Sequence, residues 1–440
     1  MPGADLLIEA RWIVPVEPSR QVLEDHAVAL RGARIQALGP VEAMRARFPQ
    51  ARRLRLERHA LLPGLVNAHT HLAMNLLRGY ADDLPLQSWL TERIWPAETR
   101  WVSEEFVRDG TRLALTESLR GGVTCVNDMY FYPEVTGQVA RQAGMRAVLG
   151  LIVLDFPTAY ASGPEEYLAK AVAVHDAFRD DPLVGTAFAP HAPYTVSDRA
   201  LERIATYQAE LDIPIHMHVN ETAAEVREHL QRHGERPLER LDRLGLLGPQ
   251  FIAVHMVVAE AADRERLAAR SAHVVHCPES NLKLGSGLCP VAEILGAGIN
   301  VAIGTDGAAS NNDLDLLGET RTAALLAKGL AGARALPAAR ALEMATLGGA
   351  RALGLAEETG SLVPGKSADL IAVDLETPET LPCYDVLGQL VYAVSRRQVS
   401  DVWVAGRRLL EDRRLTTIDL DDTLERAVWW QQRIARETNT

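Results

Sequence analysis

The middle of the chain alternates short apolar runs with longer amphipathic stretches, and this alternation limits the fold more than any other feature. The apolar runs of strand length cover residues 61–69, 123–128, 147–154, 184–189, 213–219, 251–257, 273–277 and 300–305. Helix-like patterns lie between them, at residues 103–120, 165–178, 197–211 and 260–270. Strands that alternate with helices form parallel sheets, and eight such units predict an α/β protein with a (β/α)8 TIM-type barrel.

A doubly wound parallel sheet is the main alternative to the barrel. That fold usually carries a Gly-x-Gly-x-x-Gly turn after its first strand. No such turn follows the first apolar run here. We therefore assign residues 60–359 to a barrel, which needs about 250 residues.

The two ends of the chain have a different pattern. Short strand-like segments at residues 5–13, 27–31 and 35–38 precede the barrel, and segments at 367–374 and 399–404 follow it. Neither end alone has enough apolar residues for a core. We predict that residues 1–59 and 360–420 together form one small β-sandwich domain, and that residues 421–440 form a C-terminal helix on the outside.

Composition excludes several classes of partner. The 58 acidic residues exceed the 46 basic ones, giving a net charge of −12, and no dense Lys/Arg run is present. We therefore expect neither nucleic acid nor a membrane as partner.

The chain has no signal-peptide pattern at its N-terminus and no apolar run near the ~20 residues of a membrane helix. Its four cysteines are scattered, which favours reduced thiols in a cytoplasmic protein; they are Cys125, Cys277, Cys289 and Cys383.

A His-Thr-His sequence closes the first apolar run. Side chains two residues apart lie on the same face of a strand, so His69 and His71 are able to bind one cation together. A catalytic zinc typically has three protein ligands and an open position for water. Further ligands must therefore come from other strands.

In a barrel, the residues that do chemistry lie at the carboxyl ends of the strands. The polar residues that close the later runs are His191 on the fourth strand, His216, His218 and Glu221 on the fifth, His255 on the sixth and Asp306 on the eighth. A single histidine at a strand end is more often a packing residue than a ligand. Together with His69 and His71, however, Asp306 indicates a metal site.

Some of these positions have a second interpretation. His216 and His218 point to the same face, so the strand period does not separate them, and we prefer His218 because it is nearer the mouth of the barrel. Glu221 also fits as the first acid of a helix over residues 222–230. A structural role is at least as reasonable for His273 and His276 on the seventh strand.

Three segments resemble the amidohydrolase superfamily. They are Pro63-Gly64-Leu65-Val66-Asn67-Ala68-His69-Thr70-His71, His216-Met217-His218-Val219-Asn220-Glu221-Thr222 and Gly304-Thr305-Asp306-Gly307. Within this superfamily, residues 77–86, 89–98 and 277–287 resemble the 5′-methylthioadenosine/S-adenosylhomocysteine deaminase family. Relatives of that family include s-triazine chlorohydrolases and other nucleobase deaminases.

The resemblance implies a single divalent metal ion, usually zinc, bound by His69, His71, His218 and Asp306. Binuclear members of the superfamily bridge two metals with a carboxylated lysine on the fourth strand. That strand ends here in Ala-Pro-His-Ala-Pro-Tyr, residues 189–194, without a lysine. One metal ion is therefore expected.

The resemblance also implies roles in deamination. Asp306 accepts a proton from the water that attacks C6 of an adenine ring, Glu221 protonates ring nitrogen N1, and His255 orients the water and stabilises the tetrahedral species. In the same way, His191 is implied to donate to the purine and Glu98 to accept from the ribose hydroxyls. Glu98 has an alternative interpretation as an acid in the helix that follows Pro96.

The expected activity is hydrolytic deamination of 5′-methylthioadenosine, S-adenosylhomocysteine or adenosine to the inosine analogue, with release of ammonia. No arginine lies between Gly150 and Arg179 to hold a homocysteine carboxylate, which favours methylthioadenosine. Two alternatives remain: an amidohydrolase acting on another ring, such as a guanine-type deaminase or triazine chlorohydrolase, and a barrel that has lost catalysis. The 5′ substituent, the metal used in the cell and assembly into a homo-oligomer are left open.

Overall fold

The computed structural model describes residues 3–438, and the side chains up to Arg436. Within this range the strands form two sheets of eight strands each. In chain order the strands are β1 Leu6–Ile13, β2 Leu23–Arg31, β3 Arg34–Pro40, β4 Arg52–Pro63, β5 Leu65–Thr70, β6 Val123–Tyr130, β7 Arg146–Val153, β8 Val184–Pro190, β9 Ile215–Val219, β10 Phe251–His255, β11 His273–His276, β12 Asn300–Ile303, β13 Leu370–Asp374, β14 Val399–Val404, β15 Arg407–Glu411 and β16 Arg414–Leu415.

Strands β5 to β12 form a parallel sheet in their chain order. The two edges of this sheet meet, because Thr70 at the end of β5 forms a parallel bridge with Asp306, which follows β12. The amide of Asp306 also donates to the carbonyl of His69, at 3.1 Å. The predicted TIM-type barrel is confirmed, with each of the eight apolar runs contributing a strand.

The first apolar run is divided between the two sheets. Leu61 and Leu62 pair with β13 of the terminal sheet, and β5 of the barrel begins only at Leu65. Gly64 lies between them, where an added Cβ would be 2.0 Å from Oγ1 of Thr124. Only glycine fits at this crossing, so one continuous apolar run serves two sheets.

Both ends of the chain contribute to the second sheet, as the sequence predicts. Its strand order is β16-β15-β14-β13-β4-β1-β2-β3. Ile8 and Leu30 from the N-terminal end are buried in the same apolar cluster as Leu370 and Trp403 from the C-terminal end. The sequence analysis did not predict the first part of β4, because its alternating arginines and glutamate leave it largely exposed.

The helices of the described residues surround the barrel. They are α1 Val41–Arg47, α2 Leu86–Ser88, α3 Trp95–Trp101, α4 Glu104–Arg120, α5 Pro133–Ala143, α6 Pro164–Phe178, α7 Asp198–Leu211, α8 Ala223–His233, α9 Pro237–Arg243, α10 Ala261–Ala269, α11 Pro278–Lys283, α12 Val291–Gly296, α13 Ala308–Asn311, α14 Leu316–Ala331, α15 Ala338–Glu343, α16 Gly349–Ala352, α17 Val386–Tyr392 and α18 Leu420–Thr438. Helical turns of 3-10 type cover Leu72–Leu77 and Arg396–Gln398, and π-helical turns cover Trp89–Ile94 and Met344–Gly348.

The four helices that the sequence predicted between barrel strands are α4, α6, α7 and α10. Ser103 caps α4, and its hydroxyl accepts from the amide of Phe106 at 3.2 Å. The C-terminal helix α18 packs against α4, where the indole of Trp430 donates to Asp109 at 2.9 Å. No helix among residues 3–438 is both long and apolar enough to cross a membrane. All four cysteines are unpaired.

A buried ion pair joins the barrel to the terminal sheet. Nε of Arg146, at the start of β7, donates to Oδ2 of Asp369 at 2.9 Å, and both side chains are almost completely buried. Asp369 also accepts from the hydroxyl of Ser367 at 2.7 Å and from the amide of Ala405 at 2.7 Å. Its two oxygens therefore bind groups from the barrel and from the terminal sheet.

We predict that Asp369→Ala strongly destabilises the protein. Loss of this carboxylate leaves the Arg146 guanidinium buried without its partner, which typically costs about 3–5 kcal/mol in free energy of unfolding. Urea denaturation followed by circular dichroism measures the effect. The control Asp180→Ala, at an exposed position after α6, should change the unfolding midpoint little. Equal midpoints for Asp369→Ala and the control would contradict this account of the junction.

Candidate metal centre and active site

Four side chains with metal-binding atoms converge at the carboxyl end of the barrel. His69 and His71 come from the end of β5, His218 from β9, and Asp306 follows β12. One ligand atom from each lies within 4.8 Å of the other three. The structure therefore brings together the four residues that the sequence analysis named as ligands.

Each of the three histidines uses Nδ1 for a contact with the protein. Nδ1 of His71 donates to the carbonyl of Met129 at 2.5 Å. Nδ1 of His218 donates to the carbonyl of His191 at 2.8 Å. Nδ1 of His69 lies 2.8 Å from Nε2 of His216. The three Nε2 atoms are left to face one another and Asp306, which is the orientation that a bound metal ion requires.

The carboxylate of Asp306 is held at one oxygen and free at the other. Oδ2 accepts from the hydroxyls of Ser280 at 2.6 Å and Ser310 at 2.9 Å. Oδ1 lies 3.3 Å from Nε2 of His69 and 3.1 Å from Nε2 of His71. Burial opposes ionisation, but these two imidazoles hold the pKa of Asp306 well below its usual range. A carboxylate and three imidazoles fit one divalent ion of the zinc type.

Burial also sets the charge of the histidines. It lowers the pKa of His69 to about 4 and that of His218 well below its usual value. For His71 burial acts in the same direction, but contact with Asp306 raises the pKa to about 9. Since metal ions bind neutral imidazoles, the ion competes with a proton only at His71.

The structure distinguishes His216 from His218. His216 is fully buried behind His69 and is outside the group of ligand atoms. Because Nε2 of His69 faces the metal position, its proton belongs on Nδ1, which then donates to Nε2 of His216. His276 lies on β11 in the barrel interior, where burial lowers its pKa to about 3, and it is also outside the ligand group.

Glu221 and His255 lie side by side next to the metal position. Oε2 of Glu221 is 3.8 Å from Nε2 of His255, and Oε1 accepts from the hydroxyl of Ser286 at 3.3 Å. Nδ1 of His255 bonds to Oδ1 of Asn281 at 2.9 Å. Burial raises the pKa of Glu221, which favours the protonated form of the acid. Thr222 rather than Glu221 caps α8, through a capping box with Glu225.

Four non-glycine residues at these strand ends have a left-handed backbone. The φ angles are 53° at Asn220, 74° at His255, 45° at Met256 and 60° at Asp306. Such conformations cost about 1–3 kcal/mol each and persist only where the surrounding contacts impose them. They turn the chain sharply at the point where the strands deliver their polar side chains.

A cavity of about 350 Å³ opens from the metal position toward solvent. Glu98 and His191 lie in its wall with the metal-binding residues, so all the predicted site residues other than the deeper His69 line this cavity. Much of the remaining wall is apolar, formed by Leu86, Trp89, Trp95, Ile152, Leu154 and Phe156. No lysine or arginine lines it among the described side chains.

Polar groups also face this cavity. Nε1 of Trp89 is buried and has no hydrogen-bond partner within the described residues. The buried hydroxyl of Tyr130 faces the carboxyl of Glu98. Burial raises the pKa of Glu98 to about 7, and Tyr130 and His71 offset this only in part. The wall therefore has one unpartnered donor and one acid available to a ligand.

Comparisons with known proteins identify the family. Residues 60–409 match the model of the Amidohydrolase family, and residues 27–51 match an imidazolonepropionase-like composite domain of bacteria. The chain belongs to the amidohydrolase family. A 5-methylthioadenosine/S-adenosylhomocysteine deaminase of Saccharophagus degradans is 48% identical over 432 residues, covering 98% of this chain and 97% of the relative. A protein of the same name from Teredinibacter turnerae is 46% identical over 431 residues, covering 98% of each chain.

Solved structures agree with this assignment. An adenosine deaminase from Xanthomonas campestris with bound zinc superimposes with a TM-score of 0.98 at 53% identity, covering 99% of this chain and 100% of that one. An atrazine chlorohydrolase from Arthrobacter aurescens gives a TM-score of 0.91 at 24% identity, covering 97% of this chain and 99% of that one. The latter likeness shows the fold alone. The recognition of the family from the sequence is confirmed.

Four polar residues that hold the predicted side chains in position were not predicted from the sequence. Ser280 and Ser310 hold Asp306, Asn281 holds His255, and Ser286 contacts Glu221. Three of the four lie in the segment that follows β11, where the run of polar residues after Pro278 was the available signal. The sequence did not specify which atoms they would contact.

We predict that His216→Phe weakens zinc binding by about 10- to 100-fold, the usual effect of removing a residue that orients a metal ligand. The phenyl ring keeps the volume of the side chain but does not accept from Nδ1 of His69. Competition with a zinc chelator measures the affinity. The control is His175→Phe, which removes a buried histidine bonded to Thr186 on the outer side of the barrel. If both variants retain the affinity of the unmodified protein, His216 does not position His69.

Proposed function

We propose that this protein is a zinc-dependent aminohydrolase that deaminates 5′-methylthioadenosine, and also S-adenosylhomocysteine or adenosine, to the inosine analogue with release of ammonia. The observation that carries the proposal is the placement of Glu221 and His255 beside the three histidines and Asp306, in the same cavity as Glu98. The deaminase names of the relatives and the zinc of the Xanthomonas structure support it.

His69, His71, His218 and Asp306 would hold a zinc ion, which would supply the Lewis acidity that makes water nucleophilic near neutral pH. Asp306, whose carboxylate is oriented by the two serines through Oδ2, accepts a proton from the attacking water. His255 is fixed by Asn281, and its Nε2 orients the water and stabilises the charge that develops after attack at C6.

Glu221 protonates the ring nitrogen N1. Its raised pKa supports this role, because a general acid must hold its proton at the working pH. Proton transfer to N1 relieves the negative charge that attack at C6 places on the ring. The proton that Asp306 took from the water then passes to the departing amino group, the new C6 hydroxyl gives its proton back to Glu221, and ammonia leaves.

The wall of the cavity offers matching groups for the ribose and the purine. The Glu98 carboxylate is able to accept from both vicinal hydroxyls of a ribose. The unpartnered Nε1 donor of Trp89 lies in the same wall, and a buried donor costs about 1–3 kcal/mol until it finds an acceptor. The ribose oxygens are such acceptors. His191, bonded to Thr195 through Nδ1 at 3.1 Å, presents Nε2 toward the purine.

The apolar lining favours a 5′-methylthio group over a homocysteinyl group. Trp95 and Phe156 have ring centroids 6.1 Å apart at the outer part of the cavity, beside Ile152 and Leu154. A methylthio group is apolar and packs well against aromatic rings. The homocysteine tail carries an ammonium and a carboxylate, and among the described side chains no lysine or arginine lines this cavity to pair with the carboxylate.

The location in the cell is also a prediction. The unpaired cysteines are compatible with a reducing compartment, which supports a cytoplasmic location. Assembly into a homo-oligomer stays open.

A panel of substrates that differ at the 5′ position tests the proposed function. With the zinc-loaded enzyme we expect ammonia release from methylthioadenosine with a kcat/KM at least tenfold above that for S-adenosylhomocysteine, because only the former fits the apolar wall. Ultraviolet absorbance follows the loss of the adenine chromophore. Adenosine and guanine complete the panel.

Glu221→Gln is the matched variant for this assay. It should retain its zinc content and lose about 10²- to 10⁴-fold in kcat, the usual contribution of a general acid. Absence of turnover for every adenosine derivative would overturn the proposed function. Turnover by the glutamine variant at the unmodified rate would instead overturn only the role of Glu221.

We predict that the KM for methylthioadenosine rises as the pH falls below about 7. Glu98 accepts from the ribose hydroxyls as a carboxylate, and its pKa of about 7 means that it becomes protonated in this range. Above pH 7 the acceptor form dominates and the KM should be lowest. Initial rates between pH 6 and 8 measure this dependence. Glu98→Gln should raise the KM and remove the change in KM with pH; a KM that still rises at low pH in this variant assigns the titration to another group.

A further inference from the structure

A second cavity, of about 1020 Å³, lies behind the wall of the active-site cavity. The helical turn Leu72–Leu77 that follows His71 separates the two. Met74 lines the active-site cavity, whereas Asn75 and Leu76 line the second one. Helices α4 and α18 and the turn Arg396–Gln398 form its other sides. We call this cavity the arginine cleft.

The arginine cleft has an excess of positive charge in a protein of net charge −12. Its lining includes five arginines, which are Arg78, Arg120, Arg396, Arg397 and Arg413. Glu117 is the one carboxylate in the lining. It already accepts from Arg78, from Arg396 and from Asn75. Arg396 also lies 3.9 Å from both Asp313 and Asp315, so its charge is balanced as well.

The other three arginines form no ion pair with a carboxylate among the described side chains. Arg120 donates to the carbonyl of Arg413 at 3.2 Å, and Arg413 donates to the carbonyls of Arg120, Arg396 and Val399, at 2.7, 2.8 and 2.7 Å. Hydrogen bonds lower the pKa of Glu379, and the exposed Arg397 adds to this through space without forming an ion pair with that carboxylate. Burial and the nearby guanidiniums of Arg120, Arg396 and Arg397 lower the pKa of Arg413. The cations thus repel one another, and a bound anion would relieve this repulsion.

The opposite side of the arginine cleft is apolar. Helix α18 contributes Leu420, Leu424, Ala427 and Val428 to it. Leu424 is 48% exposed and Val428 is 49% exposed, so this surface is available to a ligand. Tyr80 adds an aromatic ring to the lining. A ligand that matches both sides has an anionic group and an apolar or aromatic part.

We propose that the arginine cleft binds a phosphorylated small molecule, with its phosphate on Arg120, Arg397 and Arg413 and its organic part against α18 and Tyr80. Guanidinium groups bind phosphate oxygens in pairs of parallel hydrogen bonds, and the charges of these three guanidiniums are not balanced by an ion pair, so they suit this group well. The volume of the cleft is at the upper end of the range for small-molecule sites. The site is separate from the deaminase centre and does not depend on the function proposed for it.

Calorimetric titration of the zinc-loaded full-length protein with uridine 5′-diphosphate tests the proposal. This probe carries phosphate and an aromatic base but lacks the adenine amino group that the active site acts on. We expect it to bind at least tenfold more tightly than uridine, which has the same base without phosphate. Zinc content is measured after the titration, to exclude extraction of the metal by the probe.

The double variant Arg120→Gln/Arg397→Gln locates the binding. It removes two unpaired cations and keeps Arg78 and Arg396, which hold Glu117. We expect the Kd for uridine diphosphate to rise at least tenfold. Arg31→Gln/Arg334→Gln removes the same charge from two exposed positions outside the cleft and should leave the Kd unchanged. The proposal fails if the probe binds no better than uridine, or if the Kd is the same in the cleft variant and the unmodified protein.

Discussion

The contact that closes the barrel is the one on which the site depends. The amide of Asp306 donates to the carbonyl of His69 at 3.1 Å, joining the last strand of the barrel to the first. The side chain of Asn67 reinforces the junction through two hydrogen bonds to Thr305, at 2.7 and 3.1 Å. Because His69, His71 and Asp306 flank this seam, the same event closes the sheet and brings these three ligands together. A barrel that failed to close would leave its last strand, and Asp306, away from the histidines.

Burial gives the closed site its chemical character. The same desolvation lowers the pKa of His69 and His218 and raises the pKa of Glu221, so it favours ligands with free lone pairs beside an acid that holds its proton more firmly. The pKa of Asp306 is shifted the other way, because imidazoles contact one of its oxygens and serine hydroxyls the other. One buried site thus shifts the pKa values of two carboxyl groups in opposite directions.

The sequence predicted the barrel well, because eight apolar runs spaced by amphipathic stretches have few other ways to be buried. It also predicted which polar side chains lie together at the mouth of the barrel, since the carboxyl ends of all barrel strands meet there. For His216 and His218 the sequence supported only a preference, because the strand period puts both side chains on one face. Which of the two is nearer the mouth depends on where β9 ends. It did not locate the arginine cleft, whose cations come from positions more than 300 residues apart, between Arg78 and Arg413. The supporting serines were equally out of reach, because their contacts depend on the left-handed backbone at Asp306 and its neighbours.

Gly64 joins the two sheets without an intervening loop. The chain leaves β4 at Pro63 and enters β5 at Leu65, four residues before the first ligand, His69. The terminal sheet and the metal-bearing strand therefore share a nearly continuous backbone with no flexible linker to absorb a displacement. The small domain is thus not an independent module. A recombination event or an engineered fusion that exchanged it would have to preserve the register of β4 to within a residue, because any slip there would pass directly to His69 and His71.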